Sequence, residues 1–224
     1  MSIPSFGKCP IKIAARRATI IEPWLKLSGG NAIDTDRQYI TLCGPLYDDQ
    51  GELQPLCEPL HLAAEGLITL PQFHGIERDA TIFKNNAAVV GQSFPFGERP
   101  VLHHGDLVDV LDGAFGAGSL RPAIVNLDLM IGPKGGMTPL ARTLSILNKL
   151  EGPMLVVWNV IVERTFPQRQ DMRQQLEFAE KHDLLALAIQ EGSWICYGQL
   201  EYPGTGSRSK TTMCSIIMWR PDST

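Results

Sequence analysis

Four short apolar runs in the first 128 residues each finish on a small, polar or acidic residue. They are Gln-Tyr-Ile-Thr-Leu-Cys-Gly (38–44), Gln-Phe-His-Gly-Ile-Glu (72–77), Val-Leu-His-His-Gly-Asp (101–106) and Pro-Ala-Ile-Val-Asn-Leu-Asp (122–128). Runs of this length, rich in β-branched residues, predict buried strands. A fifth run, 154–162, is almost continuously apolar, as a central strand covered on both faces must be. Segments with helical period fall between the runs, at 56–67, 78–90, 107–115 and 138–150, where Thr138 reads as an N-cap with Pro139 at the first helical position. A polar-rich helix is predicted over 168–182, turning Leu176 and Phe178 inward. At the N-terminal end, Ile13, Ile20, Ile21, Trp24 and Leu25 share one face of an amphipathic helix over 11–27, interrupted near Pro23. Beyond residue 193 the pattern changes. Two strand-like runs, 193–202 and 210–220, flank Pro203-Gly-Thr-Gly-Ser207 with no helix between them, which predicts a closing hairpin.

Strands alternating with helices imply an α/β fold, a three-layer sandwich on a mostly parallel seven-stranded sheet that ends in an antiparallel hairpin. Residues 1–30 form a helical extension packed on a core domain of 31–224. In such a sheet, ligands bind outside the carboxyl ends of the strands. Gly44, Glu77, Asp106 and Asp128 stand there, and they mark the expected site before any chemistry is known.

Composition narrows the classes. With 44% hydrophobic and 20% charged residues, the 224-residue chain is an ordinary globular protein, long enough for a substantial core. A net charge of −4 supplies no global attraction to phosphate, so nucleic-acid binding would need a local patch. Arg16 with Arg17, Arg164 with Arg169, and Arg208 with Lys210 are the candidates, and solvated surface charge is their simpler reading. The five cysteines (Cys9, Cys43, Cys57, Cys196, Cys214) form no CxxC pair, which fits reduced, buried thiols and a cytoplasmic location. No apolar run reaches membrane-spanning length.

Individual motifs exclude several chemistries. Gly132-Pro-Lys-Gly-Gly136 lacks the Gly-Lys-Ser/Thr ending of a phosphate loop and reads as a turn. No Gly-x-Ser-x-Gly elbow exists. His103 and His104 are adjacent on a strand and face opposite ways, and His61 and His74 have no partner at a ligand spacing, so no metal is expected. Gly44 and Glu77 lie 33 residues apart, beyond the ~20 of the dinucleotide fingerprint, which argues against a nicotinamide enzyme.

The order of these elements, from Gln38 to Arg220, resembles the class I S-adenosylmethionine-dependent methyltransferases, a Rossmann-like fold. The local pattern Tyr39-Ile-Thr-Leu-Cys-Gly-Pro-Leu46, then the loop 47–55, then Gly75-Ile-Glu-Arg78, is similar to the three-Cys-motif partner family. The resemblance implies S-adenosyl-L-methionine as cofactor. Gly44 and Pro45 would let the backbone approach it. Glu77, with Arg78, would hold the ribose hydroxyls, and Asp106, with Leu107, the adenine amine. Asp128 and Asn126 would orient the acceptor, which the resemblance implies is nucleic acid. The sequence departs from the pattern at Leu46, where a second glycine is usual, and at Asn126-Leu-Asp-Leu-Met130, which lacks the prolines and aromatic of amino-methyltransferases.

Simpler readings stand beside these. Glu77 and Asp106 each precede a predicted helix, where a carboxylate caps. Trp194, Tyr197 and Trp219 read as core packing. Two functions follow: a methyltransferase, or a methyltransferase-like protein with a degenerate cofactor site that serves as a binding or scaffold module, recognising a partner protein or binding a nucleotide without turnover.

Overall fold

The computed structural model describes residues 10–116, 120–164, 170–177, 183–204 and 211–222. The chain forms two compact units, Met1–Pro122 and Ala123–Thr224.

The first unit opens with α1 (Pro10–Arg16), a π-helical turn Arg17–Ile21, and α2 (Glu22–Leu27). The interruption anticipated at Pro23 takes this form: the helix axis continues, but the Glu22 N–H reaches back five residues to the Arg17 carbonyl. Proline has no N–H to offer, and a π turn absorbs the mismatch without ending the helix. Ile20, Ile21 and Trp24 are buried on one side. Arg16 is largely buried, while Arg17 stays on the surface, 55% exposed. Arg16 pairs with Glu58 at 3.7 Å, both side chains only 14% exposed, and Arg17 pairs with Glu22 and Glu65.

Three strands follow: β1 (Gln38–Leu42), β2 (Phe73–Glu77) and β3 (Val101–His104). All pair in parallel with β2 in the middle, so their carboxyl ends share one edge. Leu42 lies opposite Ile76, and Ile76 opposite His103. The connecting helices are α3 (Glu58–Ala64), α4 (Ala80–Ser93) and α5 (Leu107–Gly116). Tyr39, Ile40, Phe73 and Ile76 form the fully buried strand layer, with Tyr39 stacked on Phe73 at 5.7 Å. Gly75 is demanded by packing. A Cβ there would sit 2.8 Å from Cβ of Cys43 and 3.0 Å from its Sγ.

The second unit contains β4 (Pro122–Asp128, entered from the last residue of the first unit), α6 (Pro133–Leu147), β5 (Met154–Arg164), the two-residue β6 (Gln170–Asp171), α7 (Gln174–Glu177), α8 (Asp183–Glu191), β7 (Ile195–Pro203) and β8 (Thr211–Arg220). β4 and β5 are parallel; β8 runs antiparallel to both β5 and β7, which is the expected terminal hairpin. Nine consecutive residues of β5, Met154 to Val162, are buried. With β6 beside β5, eight strands are assigned among the described residues, one more than anticipated.

Three segments correct the sequence reading. α6 starts at Pro133 with Gly132 as N-cap, so the supposed turn 132–136 is its first turn and Pro139 lies inside it rather than at its start. Gly136 explains the glycines: a Cβ would come within 2.9–3.2 Å of the Trp158 indole. Within the helix predicted over 168–182, Gln170–Asp171 is the strand β6 and Gln174–Glu177 is α7, while 168–169 and 178–182 lie outside the described residues; a further helix, α8, follows. Its apolar face, Leu185 and Ala188, is blurred in sequence by the exposed Leu184 and Leu187. Phe178, Arg169, Arg208, Lys210, Cys9 and the centre of the hairpin turn lie outside the described residues. Cys196 is exposed, unlike the buried Cys43, Cys57 and Cys214, and all four are free thiols.

Trp194 and Trp219 are core residues, 6% and 9% exposed. The Trp194 indole donates to Asn148 Oδ1 at 2.7 Å, and the Arg220 guanidinium stacks over it at 5.3 Å while donating to the carbonyls of Leu147, Leu150 and Gly152. Those carbonyls close the C-terminal end of α6, where a cation complements the helix dipole. No helix is long and apolar enough to cross a membrane among the described residues.

Candidate functional site

The parallel register brings the three strand ends of the first unit side by side. Beyond β1, the Cys43 N–H donates to the Ile76 carbonyl at 2.8 Å. Gly44 follows, exposed, and a Cβ added to it would meet nothing within 4 Å. Pro45 is half-buried, and Leu46 is buried at 4% exposure. Leu46 is therefore packed, its N–H donating to Asn86 Oδ1 at 2.9 Å.

Glu77 ends β2, the middle strand, and is half-buried. One carboxylate oxygen accepts the Asp79 N–H at 2.7 Å, and the other has no protein hydrogen bond among the described residues. Helix capping falls to Asp79 instead: its carboxylate accepts the N–H groups of Thr81 and Ile82 at 2.8 and 3.1 Å. These bonds hold the Asp79 carboxyl below its ordinary value. Arg78 is exposed.

Gly105 follows β3 with φ +148°, and its N–H donates to the Glu77 carbonyl at 3.1 Å. Only glycine adopts that backbone readily. Asp106 is exposed and accepts the Val108 N–H at 3.0 Å at the start of α5, while Leu107 is buried. Glu77 and Asp106 thus share a pattern, one oxygen held by the next helix start and the other without a protein hydrogen bond among the described residues.

Beneath this edge, His74 Nδ1 and His103 Nε2 lie 3.0 Å apart, with the rings stacked at 5.2 Å. Burial, then the neighbouring His103, push His74 down to about 4, and burial lowers His103 too. His104 faces the other way and is exposed, its ring 5.1 Å from Phe83. No group of three or more His, Cys, Asp or Glu able to hold a metal occurs among the described residues.

In the second unit, Asn126 and Asp128 stand two residues apart on β4, hence on one face. Asn126 is 5% exposed, and its Oδ1 accepts from Asn159 Nδ2 at 2.6 Å. The Asn159 oxygen in turn accepts from the hydroxyls of Ser215 and Tyr202. Asp128 is half-buried. Met130 takes a left-handed conformation, φ +49°, and is half exposed.

Sequence reasoning passed over Asn86 and Asn159. Each is a buried polar residue in the middle of an element, and only the amide itself, out of place in a helix or a central strand, hints at it.

The sequence matches no protein-family profile and no curated protein. Solved structures do resemble it. A mutant of the 16S rRNA (adenine(1408)-N(1))-methyltransferase from Catenulisporales acidiphilia, with cosubstrate SAM, has a TM-score of 0.50 at 14% identity, covering 91% of this chain and 92% of that one. M. jannaschii TYW2 in complex with AdoMet gives 0.47 at 10% identity, covering 89% and 75%. Human methyltransferase-like protein 13 with SAH gives 0.45 at 15%, covering 96% and 83%. At these identities the likeness defines a fold, and the rRNA enzyme carries it. The chain has the α/β fold of Rossmann-like methyltransferases, with mostly parallel strands and an antiparallel end.

Proposed function

We propose that this protein is an S-adenosyl-L-methionine-dependent methyltransferase. Its cofactor site is the carboxyl edge of β1, β2 and β3. The observation that carries the reading is Glu77: a half-buried carboxylate at the end of the middle strand, anchored through one oxygen by Asp79 and open at the other. A carboxylate held this way is ready to accept ribose hydroxyl hydrogens. Gly44 and Pro45 leave room on one side, Asp106 and Leu107 receive the adenine on the other, and Arg78 borders the ribose. Methyl transfer needs nucleophile, methyl carbon and sulfonium in line, and positioning supplies much of the rate. For the acceptor, the residues proposed are Asp128 and Asn126 of β4, the Asn126 amide being held by Asn159.

The acceptor class proposed is nucleic acid, as in the rRNA enzyme's name, and the location cytoplasmic. The similarity to the three-Cys-motif partner family rests on the order of Tyr39–Leu46, the loop 47–55 and Gly75-Ile-Glu-Arg78.

Calorimetry with S-adenosylmethionine and S-adenosylhomocysteine tests the reading. Binding is expected, and Glu77→Ala should weaken it by more than ~1 kcal/mol through loss of charge-assisted hydrogen bonds. Absence of binding at about millimolar ligand would leave a binding or scaffold module as the better account, since that concentration corresponds to only ~4 kcal/mol.

A further inference from the structure

Asn86 sits in the middle of α4, where asparagine is a poor helix former, and is 1% exposed. A buried amide must find both donors and acceptors, and this one finds them on a single turn. Its Oδ1 accepts the Leu46 N–H at 2.9 Å, while Nδ2 donates to the Gly44 carbonyl at 3.1 Å and lies 3.8 Å from Cys43 Sγ. Exchanging the amide oxygen and nitrogen would set acceptor against carbonyl and donor against N–H, so the partners fix its orientation. The preceding Asn85 reaches the Tyr47 hydroxyl at 3.3 Å. The same helix begins at Asp79, whose N–H holds Glu77. One helix therefore constrains both the turn after β1 and the carboxylate after β2.

We propose that Asn86 is a positioning residue: its side-chain amide sets the conformation of the Gly44–Leu46 turn and thereby the ligand affinity of the β1–β3 edge. The proposal rests on reading that edge as the cofactor site. Fixing a carbonyl and an N–H two residues apart leaves the intervening peptides one arrangement, so the turn is formed before ligand arrives. Preorganisation of this kind raises affinity by removing an ordering cost from the binding step.

The discriminating variant is Asn86→Asp. An ionised carboxylate still accepts from Leu46 but repels the Gly44 carbonyl, whereas the protonated acid regains a donor. Burial raises the pKa of such a carboxyl. The titratable group in contact with the Asn86 amide is the Cys43 thiol, on which Glu58 and Cys57, Glu77 of β2 and Arg16 of α1 act. Burial, then Glu58 and Glu77, hold that thiol well above its ordinary value, so it stays protonated throughout.

Calorimetry with S-adenosylhomocysteine between about pH 8 and pH 5 should show Asn86→Asp binding roughly tenfold more weakly than wild type at the alkaline end and recovering most of the loss at the acid end. Asn86→Ala should bind about tenfold more weakly at every pH, and Asn85→Ala should bind as wild type does. Folded Asn86 variants with unchanged affinity, or an Asn86→Asp loss that acid does not recover, would overturn the proposal. Amide hydrogen exchange on ligand-free protein gives a second readout: Leu46 should exchange faster in Asn86→Ala, and unaltered exchange there also overturns it. If wild type binds no ligand, the cofactor reading fails by itself, and the Leu46 exchange rate still decides whether Asn86 sets the turn.

Discussion

Two regions place their polar side chains differently: the β5 network of the second unit and the β1–β3 edge of the first. In Ala123–Thr224 they are turned inward on one another: Asn126, Asn159, Ser215 and Tyr202 close a network around β5, and Arg220 seals the end of α6. At the β1–β3 edge of Met1–Pro122, the half-buried Glu77 and the exposed Asp106 each accept one backbone N–H, and the second oxygen of each makes no protein hydrogen bond among the described residues. A closed network rigidifies a core, while half-satisfied carboxylates on a rigid edge are suited to a ligand. The β5 network is part of the core, and the β1–β3 edge is the one proposed above to bind ligand.

The largest expected effect tests the closed side. Trp158 is 1% exposed and packs against the α6 backbone at Gly136. Trp158→Ala should cost about 3–5 kcal/mol in denaturant unfolding. In the first unit, Gly75→Ala forces a Cβ against Cys43 and should cost about 1–3 kcal/mol. Adding Cys43→Gly should return part of that loss, and strict additivity of the two would show that the close approach is not what constrains the site.

A smaller effect is expected from acid, and it belongs to the first unit. His74 and His103 take up protons in the unfolded chain near the ordinary value of 6.5, but in the folded chain only lower, at about 4 for His74. Below pH 6.5 the unfolded state therefore binds more protons than the native one. Their contribution is complete above that pH and declines toward about 4, by about 1–2 kcal/mol in all for a half-buried pair. Urea midpoints of wild type and His74→Phe measured across that range should converge at the acid end; parallel curves would remove the pair as the cause.

How much of this was legible follows from what each signal depends on. The strand ends at Glu77 and Asp128 were readable because apolar runs stop where a buried strand reaches the sheet edge, whereas β3 ends at His104, two residues before the Asp106 expected. The start of α6 was misread because Pro133 and Pro139 both fit a first helical position, and Gly135-Gly136 looks like a turn until Trp158 is seen lying on Gly136. α8 escaped notice because exposed Leu184 and Leu187 erase its polar face. Glu77 and Asp79 compete for the same cap from sequence, and only geometry assigns it to Asp79 and frees Glu77. Asn86 and Asn159 act through partners about 30 to 60 residues away in sequence, a distance local pattern does not span.

Amide hydrogen exchange with and without saturating S-adenosylhomocysteine tests the contrast between the units most directly. Slowed exchange is predicted at Gly44–Leu46, at Glu77–Asp79 and at Gly105–Val108, with β7 and β8 unchanged. Ligand-induced protection confined to β7 and β8, or none along the whole chain, would contradict the assignment of the β1–β3 edge.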